Sequence, residues 1–492
     1  MNNILQTTIP CQINQTTLFD IVRGIEKPFA VLDSGMEPNP RKNIEIGRYC
    51  FAGIDPFAIF SARGERLQLF TGNSSRTWRG DPLIAVQELL NEYKISETSI
   101  PTPLPAGAIG FISYDLYSPC GILQSTDRID PNLPHVWFAF FDAIVTLDKY
   151  ENKLSITSTG LPERGRKGQV RAARRLEEMS NAISHKKISV PKEFNCHKIK
   201  SQEQVISNFS RSTYSDVVLA AKEYISAGDV YQVNLSQRFE TRFQDNPLDL
   251  FLRLKEINPA PFAAYLDCGD WQVVSSSPER FLHFDSTIRT IQTRPIKGTQ
   301  SRGFSAKEDE TLRHKLINSE KDHAEHVMIV DLERNDLGRV AETGSVHVRE
   351  LAILESYSTV FHLTSTVEAI LSPQTLPMDV IRSGFPGGSI TGAPKIRAME
   401  IIEELETAPR GVYTGTIGYL SFTGNMDLNI AIRTIVLKDN MAYFHAGAGI
   451  VADSDPDSEY NETLLKASAI ANVLGISSES IGPFQLNEVK KY

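Results

Sequence analysis

The order of strand-like and helix-like runs constrains the fold of this chain more than any other feature of its sequence. Early strand-like runs, broken by Gly and Pro, lie at 29–32, 108–114 and 136–147. Later strand-like runs lie at 262–266, 290–293, 416–421 and 441–446, separated by only a few helical segments. Because a doubly wound parallel sheet requires regular βαβ alternation, this order instead predicts an α+β fold in which sheets pack on one another.

Capping residues and apolar spacing predict three helices in the second half of the chain. Ser212 is a candidate N-cap for a helix that Gly228 closes, and strand-like alternation follows over 230–240. A second helix is predicted over 318–332. A third is predicted over 455–474, because it opens with Asp as N-cap and Pro at the first helical position.

A basic, polar stretch over 161–201 divides the chain. It predicts an N-terminal region, 1–190, and a second region, 202–478, although 492 residues would suggest about three domains of typical size. Since aromatic residues are nearly absent from the basic stretch, we interpret it as a solvated helix plus a linker and not as a nucleic-acid surface.

Composition excludes several classes of protein. The formal charge of −9, from 51 Lys+Arg and 60 Asp+Glu, argues against a nucleic-acid binder, which presents a basic face. The five cysteines form no CxxC pair, and the first residues do not read as a signal peptide. The most apolar run is too short to span a bilayer and contains Asp142. These features predict a cytoplasmic protein without membrane segments.

Two pairs of acidic residues are spaced for one helix face each. Asp322 and Glu325 are three residues apart, as are Glu459 and Glu462. Carboxylates from two helices, together with an anionic substrate, suit Mg²⁺, which prefers oxygen ligands and takes one or two protein carboxylates. The alternative is that these acids lie in first helical turns, where the helix dipole favours them, and face water.

Glycine-rich segments could bind an anion through their backbone amides. They occur at 387–395, which contains Ser389 and Lys395, at 415–418, and at 447–449, which contains Gly447 and Gly449. None matches a nucleotide-binding phosphate loop, so a carboxylate is the better candidate ligand. Ordinary tight turns are an equally good explanation of any one segment.

Three charged residues stand in positions where they could serve catalysis. Arg433 ends an apolar strand-like run, and its guanidinium suits a carboxylate, although a structural salt bridge would explain it as well. Lys297 lies in a Pro-Ile-Lys-Gly turn, where a desolvated amine could act as a nucleophile, or it could be an exposed turn lysine. Glu279 could be a general acid or the partner of Arg280.

Long segments of the second region resemble the chorismate-utilising enzymes, which include anthranilate synthase component I, aminodeoxychorismate synthase component I, and isochorismate and salicylate synthases. The similar segments are AGDVYQVNLSQRF (227–239), SSSPERF (275–281), RPIKGTQSRG (294–303), EKDHAEHVMIVDLERNDLGRV (320–340), YSTVFHLTSTV (357–367), FPGGSITGAPKIRAMEIIEELE (385–406), YTGTIGYLSFTGNMDLNIAIRT (413–434) and GAGIVADSDPDSEYNETLLKA (447–467). The N-terminal region resembles the family more loosely. The resemblance implies an anthranilate-synthase-like α+β fold, with two stacked antiparallel β-sheets and flanking helices.

The resemblance also implies one active site. It assigns Mg²⁺ to Glu325 and Glu462, with Asp322 and Glu459 beside them. It assigns the substrate chorismate to a set of binding residues: Arg433, Tyr413, Gly447, Gly449, Ser389 and Lys395. It places His362 beside the C4 hydroxyl and makes Glu279 the acid that protonates this leaving group.

Two positions favour one branch of the family. Isochorismate and salicylate synthases have a water-activating lysine at the position of Gln232, and glutamine cannot act as that base. Aminodeoxychorismate synthases read PIKGT, as this chain does around Lys297, where anthranilate synthases usually read PIAGT. The resemblance therefore implies 4-amino-4-deoxychorismate formation, for 4-aminobenzoate and folate synthesis, through a covalent Lys297 intermediate at C2.

Two other functions are alternatives to this one. The first is anthranilate synthase component I of the tryptophan pathway. The second is a non-catalytic regulatory homologue, which should have lost at least one key site residue, whereas this chain keeps Glu279, His362, Glu325, Glu462 and Arg433.

The resemblance implies two further features. Ammonia would come from a separate glutaminase subunit, since no cysteine of this chain lies in a glutaminase-type glycine elbow. The segment VLDSG (31–35) stands where anthranilate synthases carry a tryptophan-binding motif, so Ser34, Pro261 and Phe262 form a candidate tryptophan pocket.

Overall fold

The computed structural model describes residues 4–9, 17–23, 25, 28–35, 46–95, 102–118, 121–122, 132–184, 204–357 and 360–476. Its helices are α1 (Thr17–Val22), α2 (Pro82–Glu92), α3 (Gly165–Ser184), α4 (Arg211–Ala227), α5 (Pro247–Ile257), α6 (Ala306–Ile317), α7 (Glu320–Gly338), α8 (Pro377–Gly384), α9 (Lys395–Leu405) and α10 (Pro456–Val473). Short 3₁₀ turns occur at Tyr114–Leu116 and Gly388–Ile390. None of the helices in this part of the chain is long and apolar enough to cross a membrane.

The strands are β1 (Leu5–Ile9), β2 (Phe29–Asp33), β3 (Tyr49–Ile54), β4 (Ala58–Arg63), β5 (Arg66–Thr71), β6 (Ser74–Arg79), β7 (Gly107–Ile112), β8 (Tyr117–Ser118), β9 (Gly121–Ile122), β10 (Val136–Phe141), β11 (Ala143–Asp148), β12 (Lys153–Ser158), β13 (Ile206–Ser207), β14 (Gln232–Arg242), β15 (Phe262–Asp267), β16 (Trp271–Ser277), β17 (Arg280–Asp285), β18 (Thr290–Arg294), β19 (Ile296–Ser301), β20 (His347–Ser356), β21 (Val360–Ile370), β22 (Gly392–Ala393), β23 (Thr416–Ser421), β24 (Met426–Asn429), β25 (Thr434–Lys438) and β26 (Met441–Ile450). Apart from the small β8–β9 ribbon, they form two twelve-stranded sheets within the described residues.

Both large sheets combine strands from the N-terminal and the second sequence region. The first sheet has the order β1-β12-β11-β3-β2-β15-β16-β25-β26-β14-β13, with β22 on β14. The second sheet has the order β19-β21-β18-β17-β24-β23-β7-β10-β4-β5-β6, with β20 on β21. The two sequence regions meet at the antiparallel pairs β2–β15 and β7–β23. The proposed boundary between the regions, 190–202, lies outside the described residues.

An aromatic layer fills the space between the two sheets. Phe51 of the first sheet meets Tyr419 of the second edge to face, with ring centroids 5.5 Å apart. Trp271 of the first sheet meets Phe111 at 5.6 Å and Trp137 at 6.0 Å, both on the second sheet. Such contacts add to the burial of large apolar surfaces. The two sheets are therefore stacked, as predicted.

Helices cover the outer faces of the two sheets. The first sheet packs against α1, α3, α5 and α10, and the second sheet packs against α6 and α7. Apolar side chains from these helices and the sheet faces form cores on both sides of the aromatic layer. The α+β class and the flanking helices are thus confirmed.

The apolar run 136–147 forms two strands, because the chain changes sheets at Asp142. β10 lies in the second sheet and β11 in the first. The fully buried Asp142 carboxylate accepts hydrogen bonds from Arg171 Nε at 3.1 Å and Arg175 Nε at 3.3 Å, both on α3. A buried charge is tolerated when it is paired and hydrogen-bonded. This ion-pair cluster therefore holds the connection between the sheets against α3.

Three predicted helix boundaries were wrong, and two of them were wrong because another residue is the N-cap. Ser210, and not Ser212, is the N-cap of α4, because Ser210 and Thr213 exchange the two hydrogen bonds of a capping box. α7 begins after Ser319, whose hydroxyl accepts the Asp322 amide proton, and it continues six residues beyond the predicted end. The Gly228 C-cap was predicted correctly.

The remaining predicted elements agree closely with the structure. α10 has Asp455 as its N-cap and Pro456 in its first turn, as predicted. The strand predicted over 230–240 is β14, displaced by two residues at each end.

A glycine substitution tests the packing between β7 and β10. A Cβ at Gly110 would lie 1.9 Å from the Trp137 carbonyl oxygen, and backbone cannot yield as a flexible side chain does. We expect Gly110→Ala to destabilise the protein by about 3 kcal/mol in urea unfolding. As the control, Gly338→Ala at the end of α7 meets nothing within 4 Å and should change stability by less than about 1 kcal/mol. Equal unfolding midpoints for the two variants would contradict this packing.

Candidate active site

Two paired strands and one helix carry four of the predicted site residues. β19 carries Lys297, β21 carries His362, and α7 packs on both strands and carries Asp322 and Glu325. The strand register shifts just after Lys297, at Gly298, whose φ is 78°. A Cβ at Gly298 would approach the Asp322 Cβ to 3.2 Å. The bulge therefore brings the first turn of α7 directly beside the residue that follows Lys297.

Glu279 is a buried carboxylic acid immediately before β17. Its Oε1 accepts a hydrogen bond from the Ile296 amide at 3.1 Å. The Ser389 hydroxyl is buried, faces this carboxyl, and has no other partner in the described part of the chain. Burial raises the pKa of Glu279 to about 6, although Ser389, the Ile296 amide and the charge of Lys297 oppose the rise. The group can therefore hold a proton near neutral pH, as a general acid requires.

Lys297 is a half-buried amine among carboxylates. Burial lowers the pKa of Lys297, and the nearby Lys466 adds to the lowering, while the charges of Glu325, Glu279 and Glu462 oppose it. Within the described residues its side chain makes no hydrogen bond or ion pair. A desolvated amine beside another cation is the environment that makes a lysine nucleophilic.

His362 is held neutral close to Lys297. Its Nδ1 shares a hydrogen bond of 2.9 Å with the Thr299 hydroxyl on the paired strand. Burial lowers the pKa of His362 to about 3, and the positive charge of Arg433 contributes to the lowering. A neutral imidazole can donate or accept a hydrogen bond to a substrate hydroxyl without adding charge to the site.

Arg433 carries a positive charge that the protein leaves largely uncompensated. Its Nη1 donates to Asn258 Oδ1 at 2.8 Å, and no carboxylate within the described residues pairs with it. Burial lowers the pKa of this guanidinium, and its backbone has a φ of 52°, in the left-handed region. A half-buried guanidinium without a counter-ion fits the predicted role of binding a carboxylate.

The predicted metal ligands on α7 and α10 influence one another. Burial raises the pKa of Glu325, and the charges of Asp322 and Glu462 add to the rise. Burial also raises the pKa of Glu459, to which Glu462 again contributes. Two lysines lie beside them, Lys321 at 4.0 Å from Glu325 and Lys466 at 2.8 Å from Glu462.

This donor set fits a cation held jointly with a substrate. In the described part of the chain, no three His, Cys, Asp or Glu side chains converge as a metal centre of their own. Mg²⁺ does not need three protein ligands, because it binds one or two carboxylates and completes its octahedron with waters and substrate oxygens. Magnesium binding stays a prediction.

The predicted glycines of β26 lie under polar side chains of β14. A Cβ at Gly449 would be 2.3 Å from Gln232 Nε2, and a Cβ at Gly447 would be 2.9 Å from Asn234 Oδ1 and 3.0 Å from the Tyr413 hydroxyl. Gln232 Oε1 and Asn234 Oδ1 are buried without a partner among the described residues. Buried polar atoms without partners mark a place where a ligand or water is expected.

Lys395 is paired inside the protein. Its ammonium donates to Asp336 Oδ2 and, at 2.6 Å, to the Gly384 carbonyl oxygen. Of the two candidate residues in the segment 387–395, Ser389 therefore faces Glu279, whereas the Lys395 ammonium is occupied by protein groups.

Several residues at the site were not assigned from the sequence. Lys466 donates to the Gly447 carbonyl oxygen at 2.8 Å, and its spacing of four residues from Glu462 was a usable signal. Tyr357 contacts His362 at a ring distance of 5.2 Å and affects the pKa of Arg433, but no local pattern marks it. Glu333 was missed as well.

The candidate tryptophan pocket coincides with a cavity of about 210 Å³. Pro261 and Phe262 line it, and Ser34 is buried next to Asp33, which also lines it. The Asp33 carboxylate already accepts hydrogen bonds from Lys255 and, at 3.0 Å, from the Cys50 thiol. None of the predicted catalytic residues lines this cavity. Tryptophan binding there stays a prediction.

Known proteins are similar to this chain in sequence and in fold. Over residues 37–472 the chain matches the family described as chorismate binding enzyme. Anthranilate synthase component 1 of Acetivibrio thermocellus is 38% identical over 437 residues, which cover 88% of each protein. Aminodeoxychorismate synthase component 1 of Bacillus subtilis (strain 168) is also 38% identical over 437 residues, which cover 88% of this chain and 90% of that protein. The crystal structure of anthranilate synthase component I from Streptococcus pneumoniae TIGR4 matches with a TM-score of 0.75 and 33% identity, covering 88% of this chain and 93% of that one.

The two-sheet fold and the site define a chorismate-utilising enzyme. The chain belongs to the family of chorismate binding enzymes, as its motifs predicted, and its fold is that of anthranilate synthase component I. Relatives of two different activities are equally similar to it, so identity alone does not decide which reaction it catalyses.

The raised pKa of Glu279 predicts a pH-dependent effect on stability. The carboxyl titrates near 4.5 in the unfolded chain and near 6 in the folded one, so its ionisation destabilises the fold increasingly as the pH rises through this window. We expect Glu279→Gln to stabilise the protein by about 2 kcal/mol at pH 8 and by less than about 1 kcal/mol at pH 5 in urea unfolding. The exposed Glu256→Gln is the control and should show no such difference. A gain independent of pH would contradict the raised pKa.

Proposed function

We propose that this enzyme aminates chorismate at C4 to give 4-amino-4-deoxychorismate. The observation that carries the proposal is the environment of Lys297, a half-buried amine with a lowered pKa beside Glu279 and the carboxylates of α7 and α10. Such an amine can attack carbon, and an amine nucleophile supplied by the protein is what separates amination at C4 from direct amination at C2.

The proposed reaction has two substitutions. Lys297 Nζ forms a bond to C2, the two conjugated ring double bonds shift, and the C4–O bond breaks, so that the hydroxyl leaves as water with a proton from Glu279. Ammonia then forms a bond to C4, the two double bonds shift back, and the bond between C2 and Lys297 Nζ breaks. The new ammonium at C4 returns a proton to the Glu279 carboxylate. The enolpyruvyl group stays on the ring throughout.

Substrate binding would use the groups around this centre. The uncompensated guanidinium of Arg433 and the Tyr413 hydroxyl would bind the enolpyruvyl carboxylate, and the backbone amides at Gly447 and Gly449 would bind other substrate oxygens. The neutral His362 would hydrogen-bond the C4 hydroxyl beside Glu279. These contacts orient C2 toward Lys297.

Magnesium is the cofactor we propose. Glu325 and Glu462 would hold it, with Asp322 and Glu459 beside them. When bound, Mg²⁺ would neutralise the ring carboxylate of chorismate. The charges of Lys321 and Lys466 already moderate the repulsion between these acids.

We further propose a separate glutaminase subunit as the source of ammonia. The relatives of both activities are named component 1, which accords with a second component. Anthranilate formation is the second candidate function, because a relative with that activity is as similar to this chain as the aminodeoxychorismate synthase is.

Product analysis tests the reaction. We expect the protein with chorismate, Mg²⁺ and ammonium at pH 8 to form a product that aminodeoxychorismate lyase converts to 4-aminobenzoate, as seen by chromatography. Fluorescent anthranilate appearing without the lyase would contradict the proposal and support the second candidate.

Substitution of Lys297 tests the covalent step. We expect Lys297→Ala to lower the rate of 4-amino-4-deoxychorismate formation at least about 100-fold, because the attacking amine is lost. Mass spectrometry of the wild type, quenched without ammonia, should show an adduct that this variant lacks. Lys307→Ala, an exposed lysine on α6, is the control and should keep full activity. Full product formation by Lys297→Ala would rule out the intermediate.

Substitution of the acids tests the metal site. Glu325→Gln and Glu462→Gln each remove one charged ligand, so we expect Mg²⁺ binding in the presence of chorismate to weaken at least about tenfold in calorimetric titrations. Glu320→Gln, exposed in the first turn of α7, should bind Mg²⁺ as the wild type does. Unchanged affinity in both site variants would place the metal elsewhere.

A further inference from the structure

Glu333 is a buried carboxylate to which the proposed reaction gives no task. It lies on α7, is 3% exposed, and uses both of its oxygens. Oε1 accepts a hydrogen bond from the Gly388 amide at 3.1 Å, and Oε2 accepts one from the Thr293 hydroxyl at 3.2 Å. One side chain therefore ties together two segments that are far apart in the sequence.

Each of those segments carries one of the two hydrogen-bonding groups that face Glu279. Gly388 directly precedes Ser389, whose hydroxyl faces the Glu279 carboxyl. Thr293 precedes by three residues Ile296, whose amide donates to Glu279 Oε1. The Glu333 carboxylate thus fixes the segment that contains Gly388 and the segment that contains Thr293 relative to each other, on either side of Glu279.

The surroundings of Glu333 leave it little freedom. A Cβ at Gly388 would lie 3.1 Å from Glu333 Oε1 and 2.5 Å from Leu332 Cδ2, so the glycine backbone is pressed against the helix. One turn further along α7, Asp336 is paired with Lys395. The lysine supplies the positive charge that two neighbouring buried carboxylates require.

We propose that Glu333 is a positioning residue for Glu279: by binding the Gly388 amide and the Thr293 hydroxyl at once, it holds Ser389 and the Ile296 amide against the catalytic carboxyl. The proposal rests on the proposed role of Glu279 as the acid that protonates the C4 hydroxyl.

The protonation of the two carboxyls is coupled by their charges. Burial raises the pKa of Glu333 to about 7, the charges of Asp336 and Glu279 add to the rise, and Lys395 and the Gly388 amide oppose it. Lys297 is the charged group that affects Glu279 from β19. Ionisation of Glu279 and of Glu333 therefore oppose each other, and Glu279, which has the lower pKa, loses its proton first as the pH rises.

Steady-state kinetics of two Glu333 variants test the role. Glu333→Ala removes both contacts, so we expect kcat for chorismate consumption to fall about 10–100-fold, with KM for chorismate within about threefold of the wild type. Glu333→Gln keeps an acceptor for the Gly388 amide and can donate to the Thr293 oxygen, so it should restore kcat to within about threefold. Thr293→Val, which removes one contact without changing the side-chain shape, should give an intermediate loss even if Glu333→Ala does not fold.

The pH profile separates positioning from a merely structural role. As a general acid, Glu279 must be protonated, so kcat falls as the pH rises through its pKa. Displaced Ser389 and Ile296 donors no longer lower that pKa, so Thr293→Val, which leaves the charge of Glu333 in place, should move this fall to higher pH. Asp142→Asn, which weakens a buried ion-pair cluster on another part of the fold, is the control. It should lower the thermal unfolding midpoint without moving the pH profile.

The outcomes distinguish this inference from the proposed function. Unchanged kcat in both Glu333→Ala and Thr293→Val, an unmoved pH profile in Thr293→Val, or a loss in Glu333→Gln as large as in Glu333→Ala would overturn the positioning role. The assay measures consumption of chorismate, and amination to anthranilate also expels the C4 hydroxyl. Formation of anthranilate by the wild type would therefore overturn the proposed product but not the positioning role of Glu333.

Discussion

Backbone pairing between strands from distant parts of the chain is the constraint on which the whole structure depends. β2 pairs with β15 in one sheet, and β7 pairs with β23 in the other. Neither sheet can be completed by one sequence region alone, and the aromatic layer forms only when both sheets are present. The sequence therefore divides into two regions by composition, but both regions contribute strands to the same two sheets.

The same burial that stabilises the sheets sets the charge states at the site. Desolvation raises the pKa of Glu279 and lowers those of Lys297 and His362, so each of the three shifts toward its neutral form. The neutral forms of an acid, an amine and an imidazole are the ones that donate a proton, attack a carbon and hydrogen-bond a hydroxyl without adding charge. The fold thus gives these side chains reactivity that none has in water.

Local patterns in the sequence predicted what local forces determine. Asp455 with Pro456 placed the start of α10 correctly, since an N-cap and its first turn are set by neighbours in the chain. Motifs shared with the family predicted the stacked sheets. They also predicted that Glu279, Lys297, His362 and Glu325 belong to one site. The features that the sequence did not predict depend on contacts between residues that are distant in the chain. Nothing near Asp142 in the sequence shows that the chain changes sheets there, and nothing near Lys395 shows its pairing with Asp336.

The β7–β23 pairing has a consequence for the protein during its synthesis. β7 ends at Ile112 and β23 begins at Thr416, so the ribosome must add about 300 residues before one can pair with the other. At roughly 5–20 residues per second this takes about 15–60 s. During that time a fully apolar strand of the second sheet lacks one of its neighbours, and its open backbone edge can pair with another nascent chain. The interleaved topology that joins both sequence regions in the same sheets therefore leaves the growing chain with an open strand edge until its synthesis is nearly complete.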